Sequence, residues 1–392
     1  MSEKSQANIA YSYLMMAGHI GCDLNQSMVP ALLPFLVAQR GIDYTAAAGL
    51  MFASSSLSSL IQPLLGMLAD RTQRPWLMGV GILLTGIGIS SIGFIENYWG
   101  IFAVIMLAGF GSAMFHPEGG RMANCVAGDK KGQAMSNFTI GGNIGFIIGP
   151  IFVATAVARF GLKATAFALI PTAIVSGALF ATQKKLKELS DVSRRETMAK
   201  AASAGQSDDW VAFFRLCVPI FMRSIMQSGI QTFIPLYWVS VLSQSQRSGS
   251  LMVTYISLAA AFATFFGGRL ADRFGFQRVI RTGFGLVLPL ATMLILTKNV
   301  MFATVIVVAL VATNQMGHTP SVVLGQKYLP NHVGLASGVT IGLAVSVGGI
   351  CSPLLGRVGD TYGLLYTLYI LLGVAILGFA GTVLIKKPAD EM

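Results

Sequence analysis

Long apolar segments recur along the whole chain, and they restrict the folds that this sequence can adopt. Twelve segments can be counted, most of them at least as long as the helix of about 20 residues that crosses a bilayer. Because lipid offers no partner to backbone N–H and C=O groups, each segment is expected to be a helix. The segments lie at roughly 9–38, 44–69, 75–95, 99–126, 132–160, 163–183, 210–242, 250–271, 278–297, 299–326, 333–360 and 363–385.

The composition agrees with a membrane protein and excludes several other classes. Hydrophobic residues make up 54% of the 392 residues and charged residues only 11%, against about 25% charged in ordinary globular proteins. So little charge cannot cover a water-exposed surface, which excludes a soluble enzyme, a disordered protein and a secreted disulfide scaffold. The four cysteines lack the spacing of metal ligands, so we expect free thiols and no metal site.

The positive charges lie in short loops rather than on a face that binds nucleic acid. When the loops are numbered alternately, 17 of the 27 lysines and arginines fall on the side with both termini and 5 on the other side. Loops rich in Lys and Arg stay in the cytoplasm. We therefore expect both termini in the cytoplasm, no nucleic-acid partner, and no cleavable signal peptide, because the first segment is too long and carries polar residues.

A polar stretch at 184–209 divides the chain into six segments and six segments, and the two halves repeat. Parallel six-helix repeats are typical of secondary transporters, whose substrates bind between the halves near the bilayer midplane. We predict a bundle over 1–183, a cytoplasmic linker over 184–209 and a bundle over 210–392. Four landmarks recur at offsets of 201 to 203 residues: GMLADR at Gly66–Arg71 with GRLADR at Gly268–Arg273, His116 with His318, Pro150 with Pro353, and Gln26-Ser27 with Gln227-Ser228.

The repeat, the loop motif GMLADRTQR and the string GFIIGP at Gly145–Pro150 resemble the major facilitator superfamily. Within it, the strings HIGCDLNQSMVPALLP, FHPEGGRMA and GGNIGFIIGP are similar to the fosmidomycin-resistance branch of drug/proton antiporters. The resemblance covers essentially the whole chain, although Gln73 stands where the loop motif usually has glycine. It implies an all-α membrane protein of twelve transmembrane helices in two pseudo-symmetric bundles, a monomer in the bacterial inner membrane.

Ionisable residues inside an apolar segment are costly in a bilayer, so each is a candidate functional residue. His19 and Asp23 lie four residues apart, hence on one helix face, and such a pair could exchange protons near neutral pH. His116 and Glu118 flank Pro117 and form a second candidate pair for proton coupling. For both pairs the alternative is a structural contact between helices.

Arg223 is the leading candidate for contact with a substrate. It lies thirteen residues into the seventh segment, roughly 20 Å along a helix. Its guanidinium suits carboxylates and phosphates or phosphonates, so it either contacts an anionic substrate or forms an ion pair with Asp23 or Glu118. Further polar residues either line a substrate site or join helices: Asn137, Asn143, Gln227, Gln231, Asn314, Gln315 and His318.

The two copies of the loop motif and the glycines before Pro150 are candidates for gates rather than for binding sites. By the family resemblance, Arg121 is expected to pair with Asp70. The gating candidates are Asp70, Arg71, Arg121, Gly145, Gly149, Pro150, Asp272 and Arg273. The sequence contains no recognisable nucleotide loop, metal cluster or nucleophile triad, so we expect no cofactor and no enzymatic activity.

These features predict a proton-coupled transporter that exports a small anionic or amphipathic compound by alternating access across the lipid bilayer. Two other functions stay open at this stage. The same fold could import an organic anion together with protons. A chain without transport activity could instead act as a membrane sensor through the stretch at 184–209.

Overall fold

The computed structural model describes residues 3–56, 58–61, 74–126, 131–198 and 208–386, and the regular structure within these ranges is entirely helical. Eleven helical stretches of the described chain are long and apolar enough to cross a membrane. The predicted segment at 44–69 lies partly outside the described residues. The main helices are α1 (Glu3–Arg40), α2 (Tyr44–Met51), α3 (Trp76–Ser91), α4 (Tyr98–Cys125), α5 (Lys131–Phe152), α6 (Leu169–Met198), α7 (Trp210–Ser240), α8 (Gln246–Phe274), α9 (Phe276–Leu296), α10 (Val300–Met316), α11 (His318–Tyr328), α12 (Ala344–Tyr362) and α13 (Leu364–Thr382).

Shorter helical pieces extend several of these helices. Turns of π-helix follow α2 at Phe52–Ser56 and α5 at Val153–Val157, and a third at Gly338–Leu343 precedes α12. A 3₁₀ stretch, Leu162–Ala168, leads into α6. Such local changes of helical pitch allow a helix to bend or twist without ending.

Side chains and glycines set the ends of the helices. The side chains of Asn97, Asp209 and Asn299 each accept a hydrogen bond from a backbone N–H in the first turn of α4, α7 and α10, respectively, which satisfies a donor that the helix leaves unpaired. Gly275 (φ +88°) separates α8 from α9, and Gly363 (φ +94°) separates α12 from α13. These backbone angles favour glycine because it has no Cβ.

The helix α6 extends further than the apolar segment at 163–183 that predicts it. It runs on through Met198, into the polar stretch that begins at 184. Leu186 and Ser190 are fully buried, whereas Lys185 and Glu188 form an exposed ion pair at 2.8 Å. The first part of the polar stretch is thus an amphipathic helix with one buried face.

The chain forms two compact units. The first contains Met1–Leu32 and Leu57–Ser203, and the second contains Leu33–Ser56 and Ala204–Met392. In the first unit, α3 packs against α4 and α6, and apolar side chains such as Ile82 and Phe115 are fully buried. The division of the sequence into bundles at 1–183 and 210–392 stays a prediction.

In the second unit, α7 packs against α12 and α13, and α10 packs against α8 and α9. The short helix α2 is fixed to α12 by the carboxylate of Asp360. This group accepts hydrogen bonds from the backbone N–H of Tyr44 at 2.7 Å and of Thr45 at 2.9 Å. A Cβ at Gly356 would lie 2.6 Å from the Tyr44 carbonyl oxygen, so this close approach requires glycine.

Candidate functional site

The first unit contains a buried carboxylate held between two imidazoles. His19 and Asp23 are four residues apart on α1, and their Nε2 and Oδ2 atoms lie 3.1 Å apart. His116 comes from α4, and its Nε2 lies 3.1 Å from the other carboxylate oxygen, Oδ1. Asp23 is only 4% exposed. The spacing predicts the contact between His19 and Asp23, and the fold adds His116.

The second ring nitrogen of each histidine is also fixed. His19 Nδ1 donates to the carbonyl oxygen of Phe138 at 2.7 Å, because a carbonyl oxygen only accepts. His116 Nδ1 lies 2.9 Å from the carbonyl oxygen and 3.0 Å from the hydroxyl oxygen of Ser112. In both histidines Nε2 faces the carboxylate. A proton that enters this group therefore binds at an Nε2–carboxylate contact.

Glycines of α5 allow that helix to approach this group closely. A Cβ at Gly142 would lie 2.8 Å from Asp23 Oδ2, and one at Gly145 would lie 2.7 Å from the Ile20 carbonyl oxygen. One at Gly149 would lie 2.1 Å from Ser27 Oγ. Gly145 and Gly149, predicted to gate the transporter, thus face the backbone and side chains of α1. Pro150 is buried in α5 shortly before its π-helical turn.

The group formed by His19, Asp23 and His116 has the spacing of a cation site. One ligand atom from each residue lies within 4.8 Å of the others. A single metal ion could contact all three residues, whereas a proton would be shared between the carboxylate and one imidazole. In the described residues of the chain, this is the one group of His, Cys, Asp and Glu side chains with that spacing.

Glu118 does not join His116, although only Pro117 separates them. Residues two apart point to different sides of a helix. Glu118 is fully buried, and both of its carboxylate oxygens accept hydrogen bonds from Arg121. Arg121 also donates to Ser190 Oγ on α6 at 2.6 Å. The family resemblance predicts Asp70 as the partner of Arg121, but Asp70 and Arg71 lie outside the described residues.

The second unit contains a buried guanidinium. Arg223 on α7 is 6% exposed, and its Nη1 donates to Gln315 Oε1 on α10 at 2.8 Å. Within the described part of the chain its Nε has no hydrogen-bond partner, and no carboxylate of this unit forms an ion pair with Arg223 there. The sequence offers Asp23 and Glu118 as alternative partners of Arg223. Within the first unit, Asp23 contacts His19 and His116, and Glu118 contacts Arg121.

Other polar residues lie close to Arg223. Asn314 Nδ2 lies 3.5 Å from the Arg223 carbonyl oxygen and 3.4 Å from Gln227 Oε1. His318 Nδ1 and Asn314 Oδ1 are buried without a hydrogen-bond partner in the described chain. Buried polar groups usually have such partners, so the unpaired atoms near Arg223 indicate a place for a polar ligand.

The remaining candidates are less closely connected to either group. Asn137 donates to Ser12 Oγ at 3.3 Å, which joins α5 to α1. Asn143 lies on the exposed face of α5, and Gln231 is half-buried one turn beyond Gln227. Asp272 and Arg273 are exposed at the end of α8, where Arg273 lies over the Phe274 ring at 5.2 Å.

Comparison with known proteins places the chain in a family. The model of the Major Facilitator Superfamily matches residues 15–353. The chain is 29% identical over 388 residues to an uncharacterized MFS-type transporter, YfnC of Bacillus subtilis (strain 168), covering 97% of this chain and 94% of that one. It is 24% identical over 345 residues to the fosmidomycin resistance protein of Escherichia coli (strain K12), covering 87% and 84%.

A solved structure shows the same fold. A bacterial homolog of the human lysosomal transporter Spinster, inward-facing and occupied, superposes with a TM-score of 0.80 at 12% identity, covering 100% of this chain and 99% of that chain. The predicted fold class is thereby confirmed, and so is the expectation of a membrane transporter rather than an enzyme. The chain belongs to the major facilitator superfamily.

Proposed function

We propose that this protein is a proton-coupled antiporter that exports a small anionic or amphipathic compound by alternating access. Export is supported by the similarity to a fosmidomycin resistance protein. The excess of positive charge in one set of loops supports cytoplasmic termini. We propose a monomer in the bacterial inner membrane.

The observation that carries the proposal is the burial of Arg223 without an ion pair in its own unit. A buried cation is costly unless a negative charge or several dipoles compensate it. Gln315 supplies one dipole, and Nε is left without a partner. An anionic substrate would supply the missing charge, and the planar guanidinium favours a carboxylate or a phosphate-like group.

The coupling proton is proposed to bind among His19, Asp23 and His116. Both imidazoles contact the same carboxylate, so adding or removing one proton changes the charge of a buried group. Such a change can favour one conformation of a transporter over another. Glu118 stays a second candidate, and its contact with Arg121 also supports a structural role.

Gates are proposed at the ends and close contacts of the helices. Asp70 with Arg71 and Asp272 with Arg273 occupy equivalent positions of the sequence repeat. Gly145 and Gly149 lie in contact with α1, so a movement of α5 would change the surroundings of Asp23. We propose that this contact transmits protonation to the helices.

Inverted membrane vesicles with an acidified lumen test both the coupling and the direction of transport, with fosmidomycin as the first probe. An exporter should release lumenal protons only after the probe is added at the cytoplasmic face. Asp23→Asn should stop this release because the amide keeps the shape of the side chain but cannot carry the proton. Asp191→Asn, at an exposed carboxylate of α6, is the matched control.

Arg223→Lys tests the anion site. Lysine keeps a charge but loses the two-pronged geometry, so we expect weaker transport than in the control Arg215→Lys on the same helix. An importer would acidify the lumen further when the probe is added. A sensor would show no probe-dependent proton movement. Unchanged uphill transport in both Asp23→Asn and Glu118→Gln would exclude these carboxylates as proton carriers.

A further inference from the structure

An apolar groove lies between α8 and α10 of the second unit. It has a volume of about 440 Å³ and is lined by Tyr255, Phe262 and Phe266 of α8 and by Val308 and Ala312 of α10, among others. The three aromatic side chains are 44%, 62% and 51% exposed. The groove is therefore accessible rather than filled by the protein's own core.

The lining of the groove on α10 ends at Ala312, three residues before Gln315, which holds Arg223. On α10, Gln315 follows Ala312 by three residues and Val308 by seven, so all three share one face of the helix. Gln315 Oε1 accepts the hydrogen bond from Arg223 Nη1 at 2.8 Å. With a rise of 1.5 Å per residue, Ala312 and Gln315 are about 4.5 Å apart along the axis.

The packing of α8 on α10 fixes the level of the groove along the two helices. A Cβ at Gly267 would lie 2.3 Å from the Met316 carbonyl oxygen, so the two backbones nearly touch there. Phe266 and Gln315 are the residues before this contact on their helices. One end of the groove therefore lies at the level of Gln315, and from Phe266 to Tyr255 it extends about 16 Å.

The two regions have opposite chemistry. The groove is lined by aromatic and aliphatic side chains. The polar end has the Arg223 guanidinium, with Nε unpaired, and the unpaired Nδ1 of His318. A hydrocarbon chain matches the groove and an anionic group matches the polar end, so the arrangement favours a ligand that carries both.

We propose that the substrate is a single-chain amphipathic anion, whose head binds at Arg223 and whose tail lies along α8 and α10. This inference rests on the proposed function, which places an anionic substrate at Arg223. It adds the requirement for a tail. A short polar anion would leave the groove empty, and an uncharged chain would leave Arg223 without a counter-charge.

A chain-length series tests the proposal. Butanoate, octanoate and dodecanoate are titrated into the protein in phosphatidylcholine nanodiscs, and their partition into empty nanodiscs is subtracted. Each methylene that enters the groove should tighten Kd about fourfold. Dodecanol, which has the same chain but no charge, should bind far more weakly than dodecanoate.

Three variants separate the head from the tail. Ala312→Phe should fill the groove and remove the dependence on chain length, while butanoate binding stays unchanged. Ile376→Phe, on an exposed position of α13, is the matched control and should change neither. Arg223→Gln should weaken all three acids by a similar factor, because it removes the contact with the head.

The outcomes distinguish this inference from the proposed function. Binding that depends on Arg223 but not on chain length overturns the inference and leaves an anionic substrate in place. Binding that depends on chain length but not on Arg223, or equal affinity for dodecanol, identifies the groove as a lipid-facing surface. That result overturns the inference and also removes Arg223 from the substrate site.

Discussion

Gly142 lies against His19 and Asp23 in the first unit, and Gly142→Ala should disturb their contact directly. The added Cβ would lie 2.7 Å from His19 Cε1 and 2.8 Å from both His19 Nε2 and Asp23 Oδ2. His19 is held through its Nδ1 by the Phe138 carbonyl oxygen, and Asp23 is held through its Oδ1 by His116. The strain should therefore lengthen the contact between His19 and Asp23.

The size of the effect follows from two opposing terms. Adding a methyl group to a filled site costs about 1–3 kcal/mol. Replacing glycine by alanine inside a helix stabilises it by about 1 kcal/mol. Gly177→Ala on α6 should have the helix stabilisation without the packing cost, since nothing lies within 4 Å of its added Cβ. The difference between the two variants should therefore equal the packing cost, about 1–3 kcal/mol.

Equilibrium unfolding of both variants in the same detergent measures this difference, and proton-driven transport is followed on the same samples. We expect Gly142→Ala to be less stable than Gly177→Ala and slower in transport, with Gly177→Ala about 1 kcal/mol more stable than the native protein and close to it in transport. Equal stability of the two variants, together with native transport by Gly142→Ala, would refute the close packing of α5 on Asp23.

Two further predictions concern the side of the membrane that we propose to be cytoplasmic. A reporter inserted within 199–207 and another fused to the C-terminus should both report the cytoplasm, and a periplasmic signal from either would contradict the topology. Burial raises the pKa of Asp208, but hydrogen bonds from the Asn331 N–H and from His332 outweigh it and leave this pKa below its ordinary value. The contribution of the Asp208 carboxylate to the stability of the protein should be complete above about pH 3.9, its pKa in the unfolded chain. This contribution should decline as the pH falls through the lower pKa of Asp208 in the folded protein. Thermal unfolding at a series of pH values checks this, because Asp208→Asn should lack the acid-dependent part.

The helices were predictable because a membrane span has a required length and polarity. The predicted segments 75–95 and 278–297 correspond closely to the observed spans Trp76–Phe94 and Phe276–Leu296. The end of α6 was not predictable by hydropathy. Beyond 183 its exposed face carries charges, and only the burial of its other face shows that the helix continues.

Contacts within one helix turn were predictable for the site, and contacts between helices were not. The four-residue spacing of His19 and Asp23 predicts their contact. The three-residue spacing of Glu118 and Arg121 carries the same kind of signal, and the pairing of Arg121 with Asp70 stays a prediction. The contact of Asp23 with His116 depends on how α1 packs against α4, and no local pattern in the sequence records it.

Variants of Glu118 test whether this buried carboxylate has a structural role or carries the transported proton. Its carboxylate is fully buried and receives two hydrogen bonds from Arg121, which also donates to Ser190. Glu118→Gln should therefore destabilise the protein by about 3–5 kcal/mol, because it breaks a buried ion pair by removing one of its two charges.

The double variant Glu118→Gln with Arg121→Gln should recover most of that loss, since two neutral amides can bond to each other and both charges of the pair are removed together. A proton carrier predicts the opposite pattern. Glu118→Gln would then unfold like the native protein but fail in uphill transport, and neutralising Arg121 as well would not restore that transport. Melting temperature and proton release, measured on the same preparations, distinguish the two roles. Recovery of both in the double variant would leave Asp23 as the remaining carrier, because a carboxylate that can be removed together with its partner cannot be the one that delivers the proton.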